Sequence, residues 1–306
     1  MVCVASLLPM KPALSEVRRA RPLLGTFVEI AAQGSDETKL HRAIDEAFAA
    51  VCQVHRLMSF HDPESDVSRM NRHAFPRSVI VHPWTWQVLK AGREFSRESD
   101  GAFDITVASL LTRWNYLPRP GYHLNTRSTW RDILLRKNCR VFFRRQVMVD
   151  LGGIAKGFAV DRAVEALIAA GARSGIVNAG GDLRVFGPEP RVVQIRHPRE
   201  PAHIGRTILV RESSVATSAL YYNERDRGRT SPLVDGRTHR PALGDVSVSV
   251  YAPDCMTADA LTKIVFAMRE GARQILDRHQ AGSFLLSGDS SAVELCNGYG
   301  TQRHQA

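Results

Sequence analysis

Three short stretches carry residue types and spacings suited to phosphate chemistry. The run Asp150-Leu-Gly-Gly-Ile-Ala-Lys-Gly-Phe-Ala-Val-Asp161 reads as a hydrophobic strand ending in an acid, a glycine-rich turn with one lysine, and an amphipathic helix. Glycines let a backbone approach a ligand, and successive N–H groups at a helix start can seat phosphate oxygens. Asn178-Ala-Gly-Gly-Asp182 places a second acidic glycine turn one strand later. Two such turns so close together point to a nucleotide or metal-phosphate site. The plainer alternative is a pair of ordinary turns, with Asp182 a turn-former, as Asp104 would be in the separate Gly101–Thr106 segment. The third stretch, Thr257-Ala-Asp-Ala-Leu-Thr-Lys263, opens a helix. Asp259 lies three residues before Thr262 and four before Lys263, so the three side chains share a face. A carboxylate with a hydroxyl one turn away can hold a hard cation such as magnesium; the alternative is an aspartate that only complements the helix dipole.

The elements that must position these residues follow from periodicity. Thr26–Ala31 alternates as a strand, and Leu40, Ile44, Ala47, Phe48, Val51 and Val54 predict a helix to about Leu57. A polar loop, Ser59–Asn71, comes next, then a helix from about Trp84 to Ser99, stopped by Asp100-Gly101. Strands are expected at Arg140–Phe143 and Val147–Leu151. After the lysine turn, Val160, Ala163, Val164, Leu167 and Ile168 form one helical face, with Gly171 as the stop. Short strands follow at Gly175–Asn178, Leu183–Phe186, Val192–Arg196 and Thr207–Val210, then an alternating strand expected to be half-buried, Val246–Tyr251. Thr257 is read as the cap of a helix buried through Leu261, Ile264, Val265 and Met268, and Ser283–Leu286 as a last strand. Adjacent strand pairs mixed with helices predict an α+β fold rather than a doubly wound sheet. Residues 1–20 read as a loose leader, 21–290 as a single domain, and 291–306 as a polar tail.

Composition narrows the function classes. A chain of 306 residues with 44% hydrophobic and 24% charged residues is an ordinary globular protein with length enough for a large core. The net charge of +10 favours anionic ligands, but the arginines are scattered, without the continuous basic face of a nucleic-acid binder. Cys3, Cys52, Cys139, Cys255 and Cys296 include no CxxC pair, which argues against a zinc cluster or disulfide framework and for a reducing compartment. No apolar run reaches the roughly 18 residues of a membrane span, and neither a signal peptide nor a lipobox around Cys3 is read. The expected location is cytoplasmic.

Taken in order, the segments resemble the FAD:protein FMN transferase family of the ApbE type. The resemblance runs from about Arg21 to Met268. It rests on Leu24-Gly-Thr-Phe27, Met58–Asn71, Gly101-Ala-Phe-Asp-Ile-Thr106, the Asp150–Asp161 run and Asn178–Asp182, followed by Val215-Ala-Thr-Ser218, Asp235-Gly-Arg-Thr238 and Ala258-Asp-Ala-Leu261. It implies largely antiparallel sheets around a T-fold-like core, and a reaction in which FMN passes from FAD to a threonine or serine hydroxyl of a target protein with release of AMP. FAD would be the substrate, Mg2+ the cation, and the partner a redox protein or domain with a short threonine-containing motif. The Ala155 carbonyl, Asp259 and Thr262 would hold the metal. Leu24, Ala102, Phe103, Asp104, Gly152 and Phe158 would line the FAD site. Many relatives are exported, so the resemblance also leaves a periplasmic location open.

The chain departs from the family pattern at defined positions. Lys263 stands where the metal helix has a threonine or serine. An ammonium there cannot ligate Mg2+ but can pair with a phosphate, which would rearrange the metal set around Thr262. His61 replaces a tyrosine that packs on the flavin, shrinking the stacking surface. Pro232 stands at a histidine position, Gly236 at a proline and His239 at a glycine, so either His239 supplies the missing imidazole or it is an exposed loop histidine. Two alternatives follow: a catalytically impaired FAD-binding maturation protein, or a pyrophosphatase splitting FAD into FMN and AMP without an acceptor.

Overall fold

The N-cap aspartate at position 36 sets the first helix. Its carboxylate accepts the Lys39 N–H at 3.1 Å, and the helix that follows, α1 (Glu37–Met58), buries a stripe that includes Leu40, Ile44, Phe48 and Val51. The computed structural model describes residues 14–119, 128–220 and 230–296. Cys3 and part of the Pro/Gly-bearing stretch around Pro118–Gly121, which the sequence reads as a loop, lie outside them. Two strands precede α1, β1 (Ser15–Leu23) and β2 (Thr26–Gly34), so residues 15–20 belong to a sheet rather than to the expected leader. Ser59–Asn71 is not a loop throughout. Ser65 caps a short helix, α2 (Asp66–His73), by accepting the Ser68 N–H at 3.0 Å. Next come β3 (Val79–Ile80), α3 (Pro83–Glu98), α4 (Ala108–Arg113), β4 (Ile133–Arg136) and β5 (Arg140–Phe143).

Val147–Leu151 is buried but is not a strand. The Asn71 side chain takes both backbone groups of Val149, accepting its N–H at 2.8 Å and donating to its carbonyl at 2.9 Å. One amide thus satisfies the polar atoms a neighbouring strand would have served. Helix α5 (Ala155–Ala169) starts earlier than expected, placing Lys156 in its first turn, and Ile168 is exposed rather than part of its buried face. The rest of the chain runs β6 (Ser174–Ala179), β7 (Asp182–Phe186), β8 (Arg191–Arg196), β9 (Ile204–Val210), β10 (Ser214–Ala219), β11 (Val234–Asp235), β12 (Arg240–Pro241), β13 (Val246–Ala252), α6 (Cys255–Met268), α7 (Arg273–Arg278), β14 (Gly282–Ser287) and β15 (Ala292–Cys296). The last strand takes up the start of the expected polar tail.

Eight strands form one sheet in the order β1-β2-β6-β7-β10-β13-β14-β15, every neighbouring pair antiparallel. Helices α1, α5 and α6 cover one face, where Val177, Ala216, Val248 and Val250 join the main core. The alternate residues Leu183, Val185, Val215 and Tyr251 meet Val193 and Ile195 of the β8–β9 hairpin on the other face. This is the α+β, antiparallel architecture expected, with period-2 alternation deciding which core each strand residue enters. Gly180 and Gly181 (φ +66° and +102°) make the two-residue turn between β6 and β7, a geometry for which glycine is suited. That turn delivers Asp182 to the start of β7, the strand end next to α5.

Candidate active site

The N-terminal ends of α5 and α6 lie against each other and exchange capping groups. A Cβ at Gly157 would sit 2.8 Å from Met256 Cα and closer still to the Cys255 carbonyl, so only glycine permits this approach. Asp161 of α5 accepts the Cys255 N–H at 2.9 Å and the Met256 N–H at 2.8 Å, while Asp259 of α6 accepts the Gly157 N–H at 3.1 Å. Each helix thus satisfies free N–H groups of the other. Arg184 holds Asp161 at 2.8 Å. The helix cap itself is Asp254, which accepts the Thr257 N–H at 2.8 Å and its hydroxyl at 2.9 Å, rather than Thr257 as the sequence suggests.

Two ammonium–carboxylate pairs occupy this junction. Lys156 is paired with Asp182, and Lys263 with Asp259, whose backbone carbonyl also accepts from Lys263 Nζ at 3.0 Å. Both carboxylates are shut off from solvent, at 1% and 0% side-chain exposure, so their charges are balanced by these partners and not by water. Burial pushes the Asp259 carboxyl up, but the Lys263 and Lys156 ammoniums and the Gly157 N–H outweigh it and leave it below the ordinary aspartate value. For Asp182, burial and the charge of Asp259 prevail over both lysines and raise it. Burial opposes the charge of Lys156, yet Asp182 and Asp259 hold its ammonium well above the usual lysine value. Asp182 Oδ1 is buried with no hydrogen-bond partner among the described residues.

The proposed metal donors come together here, but they are engaged. Asp259 gives one oxygen to Lys263 and the other to Gly157 N–H. Thr262, fully buried, donates to the Asp259 carbonyl at 2.7 Å and lies 2.7 Å from the Ser218 hydroxyl. Ala155 begins α5 beside them. The i,i+4 partner of Asp259 has prevailed over the i,i+3 hydroxyl. No group of three or more His, Cys, Asp or Glu side chains suited to a metal occurs among the described residues. With Lys263 on the carboxylate, this donor set does not fit a divalent cation.

Among the other predicted residues, Phe103 meets the Lys263 stem at the glycine turn. A Cβ built at Gly153 would lie 3.4 Å from the Phe103 ring and 3.7 Å from Lys263 Cε, so the glycine turn, Phe103 and the ammonium stem meet. Gly152 donates its N–H to Asp150, whose carboxyl burial raises in spite of that bond and of the nearby His61. Asp104 is buried with Ala102 and Phe103. It accepts the Thr106 N–H and hydroxyl at 2.8 Å each and the Trp130 N–H at 3.2 Å. Burial raises its carboxyl over the opposing pull of these bonds and of His239. The 235–239 turn packs on this segment through Gly236, whose N–H donates to the Ala102 carbonyl at 3.0 Å; a Cβ there would come within 2.7 Å of Asp104 Cβ. Glycine at this position is therefore a packing requirement. His239 (φ +55°) and His61 are exposed. An open cleft of about 290 Å³ joins Lys263 and Phe266 to Asp235, Thr238 and Arg240.

Two expected lining residues sit apart. Phe158 is 1% exposed in the core, edge-on to Trp84 at 6.0 Å and under the Arg162 guanidinium at 5.0 Å, so its ring has no face left for a ligand. Leu24 (φ +56°) lies in the β1–β2 turn and packs on the main core. That turn reaches the junction through Thr26, which a Cβ at Gly180 would meet at 2.5 Å. The binding assignments left out Lys156, Asp182 and Ser218. The signal was present in the charged residues flanking both glycine turns, since a lone lysine and a lone aspartate on apolar elements need one another.

A model of the ApbE family matches residues 24–285. The FAD:protein FMN transferase of Vibrio cholerae is 30% identical over 300 residues, covering 88% of this chain and 87% of that one. The protein of the same name from Treponema pallidum is 28% identical over 288 residues, covering 83% and 79%. The crystal structure of the ApbE protein from Thermotoga maritima is similar with a TM-score of 0.82 at 29% identity, covering 92% of this chain and 97% of that one.

Proposed function

The chain belongs to the ApbE family, and from that premise we propose that it transfers the FMN half of FAD to a hydroxyl of an acceptor protein and releases AMP. The observation that carries this reading is the Lys263–Asp259 pair, whose lysine stem meets Gly153, with the Lys156–Asp182 pair at the same helix junction. It sets one ammonium stem against the glycine turn and a second ammonium close to the same carboxylates. Phosphoryl transfer asks a protein chiefly to position the phosphate and neutralise its charge. The acceptor oxygen attacks the flavin-side phosphorus, and the bond from that phosphorus to the bridging oxygen breaks. AMP leaves with that oxygen, and the hydroxyl proton goes to a base. His239, exposed on the 235–239 turn and near enough to Asp104 for its charge to be felt, is that base in this reading.

The acceptor is a threonine or serine in a redox protein or domain. No helix among the described residues is long and apolar enough to cross a membrane. Cys52, Cys139 and Cys255 are free thiols, in keeping with a cytoplasmic setting. The donor set at Asp259, engaged by Lys263 and the Gly157 N–H, does not fit a divalent cation, so the residues themselves meet the phosphate charge. The test is to incubate the purified chain with FAD and an acceptor domain, with and without magnesium salts, and follow the products by mass spectrometry. An FMN-sized addition on the acceptor together with AMP is the expected result. AMP without a labelled acceptor would mean a pyrophosphatase, and neither product a flavin-binding protein without transfer.

A further inference from the structure

We propose that the Lys263 ammonium stands in for the divalent cation, so that the chain engages the pyrophosphate of a flavin dinucleotide without a metal ion. This rests on the flavin reading above and goes beyond it. Three observations converge. Lys263 Nζ is held on α6 by the carbonyl and the carboxylate of Asp259, one turn earlier. Those bonds use two of its three protons, and the third meets no protein acceptor among the described residues. Its stem meets Gly153 on one side and lines the open cleft toward Asp235 and Thr238 on the other, so the ammonium is held between the glycine turn and that cleft.

The charge balance points the same way. Two carboxylates, Asp182 and Asp259, face two ammoniums, Lys156 and Lys263. A divalent ion would enter a junction whose acids are already matched, and would meet two cations at close range. Asp259 cannot turn toward such an ion without releasing both Lys263 and the Gly157 N–H. An anionic ligand can instead accept the free proton of Lys263, whose charge it then shares with Asp259. The ammonium gives less charge than a metal but stays in place through the cycle, since its stem is packed and its partner carboxylate is fully buried.

The experiment uses the full chain and two readouts. Binding of Mn2+ is followed by electron paramagnetic resonance, and binding of FAD by flavin fluorescence in EDTA and in excess MgCl2. The expected result is no Mn2+ held by the wild-type protein, and an FAD dissociation constant that changes by less than about twofold between the two conditions. Lys263→Thr frees Asp259 and puts a hydroxyl one turn away. It is expected to weaken FAD binding in EDTA by about tenfold and to regain affinity with Mg2+, with Mn2+ now bound. Stoichiometric Mn2+ on the wild-type protein, or FAD binding that needs Mg2+, would overturn the inference and leave the flavin reading standing. Failure to bind FAD under either condition would overturn both. The wild-type measurements decide the matter even if the variant does not fold.

Discussion

The α5–α6 junction and the 235–239 turn both border the Lys263 side chain, yet they are built by opposite means. At the junction each helix caps the other, both carboxylates are buried, and a glycine allows backbones to touch. At the turn, Arg237, Thr238 and His239 are exposed, and Arg237 folds back on its neighbour Asp235 at 2.8 Å. The comparison teaches where each kind of function can reside. A buried, mutually capped junction fixes charges in place and ties them to stability. An exposed turn can present a titrating group to a large incoming partner with little consequence for the fold. Substitutions of the fully buried groups in the first region should therefore register as lost stability, and those in the turn as lost rate.

The sharpest way to break that comparison is Gly157→Ala. The added methyl would press on the Cys255 carbonyl and Met256, both backbone, so the helices must separate. Urea unfolding should show a loss of about 3 kcal/mol, the upper end for overpacking. A loss below about 1 kcal/mol would mean that the junction is adaptable and not the rigid part supposed. Asp182→Asn comes next. It leaves the Lys156 ammonium without its principal counter-charge, and a destabilisation of about 2–3 kcal/mol is expected, at or just below the range for one partner removed from a buried pair because Lys156 is partly exposed. A neutral outcome by the same titration would show that Asp259 alone can hold both lysines.

At the turn the prediction has the other sign of evidence. His239→Ala should lower the rate of FMN transfer by about 10²-fold while leaving the urea midpoint and FAD affinity unchanged. An undiminished transfer rate would remove His239 from the mechanism. Between the two regions lies Asp104, buried like the junction but sensing His239. Its carboxyl is raised above the ordinary aspartate value, chiefly by burial. Its contribution to stability is therefore full below the ordinary value and is lost as pH rises through the raised one. Replacing it by asparagine should flatten that part of the stability profile relative to the wild type. An unchanged slope in mildly acidic urea titrations would show that Asp104 does not titrate there.

The same contrast governs what the sequence made legible. Elements with a clean period, such as the stripe of α1 and the Val–Ser alternation of β13, declared themselves from their own residues, although β13, expected half-buried, is covered on both faces. The misses share a physical cause, a partner distant in the chain. Val147–Leu151 has strand-like apolar residues but is satisfied by the amide of Asn71, 78 positions from Val149. Phe158 lies in a motif associated with the ligand, yet Trp84 and Arg162 enclose it. At the site, the nearness of Asp259, Thr262 and Lys263 follows from helical spacing. Lys263 takes the carboxylate because the Thr262 hydroxyl gives its proton to the Asp259 backbone carbonyl and lies against Ser218, a contact across 44 residues. Likewise, Gly236 in place of the family's proline becomes intelligible only against the Ala102–Asp104 segment.

The smallest expected effect sharpens the comparison on its exposed side. His61 is open to solvent on the segment before α2, with Phe60 edge-on at 6.5 Å and Asp150 close enough to feel its charge. A ring in that position that stacks on a flavin contributes through area and polarisability. His61→Tyr should then tighten FAD binding by about 2–5-fold, matching the lower part of the range for an aromatic pair. Because the side chain touches no part of the junction's charge network, the variant should unfold at the wild-type urea concentration. If instead the affinity is unchanged and the pH dependence of binding alters, the imidazole acts through charge on Asp150 rather than through stacking. The flavin ring would then lie elsewhere, toward Phe103 and the 235–239 turn.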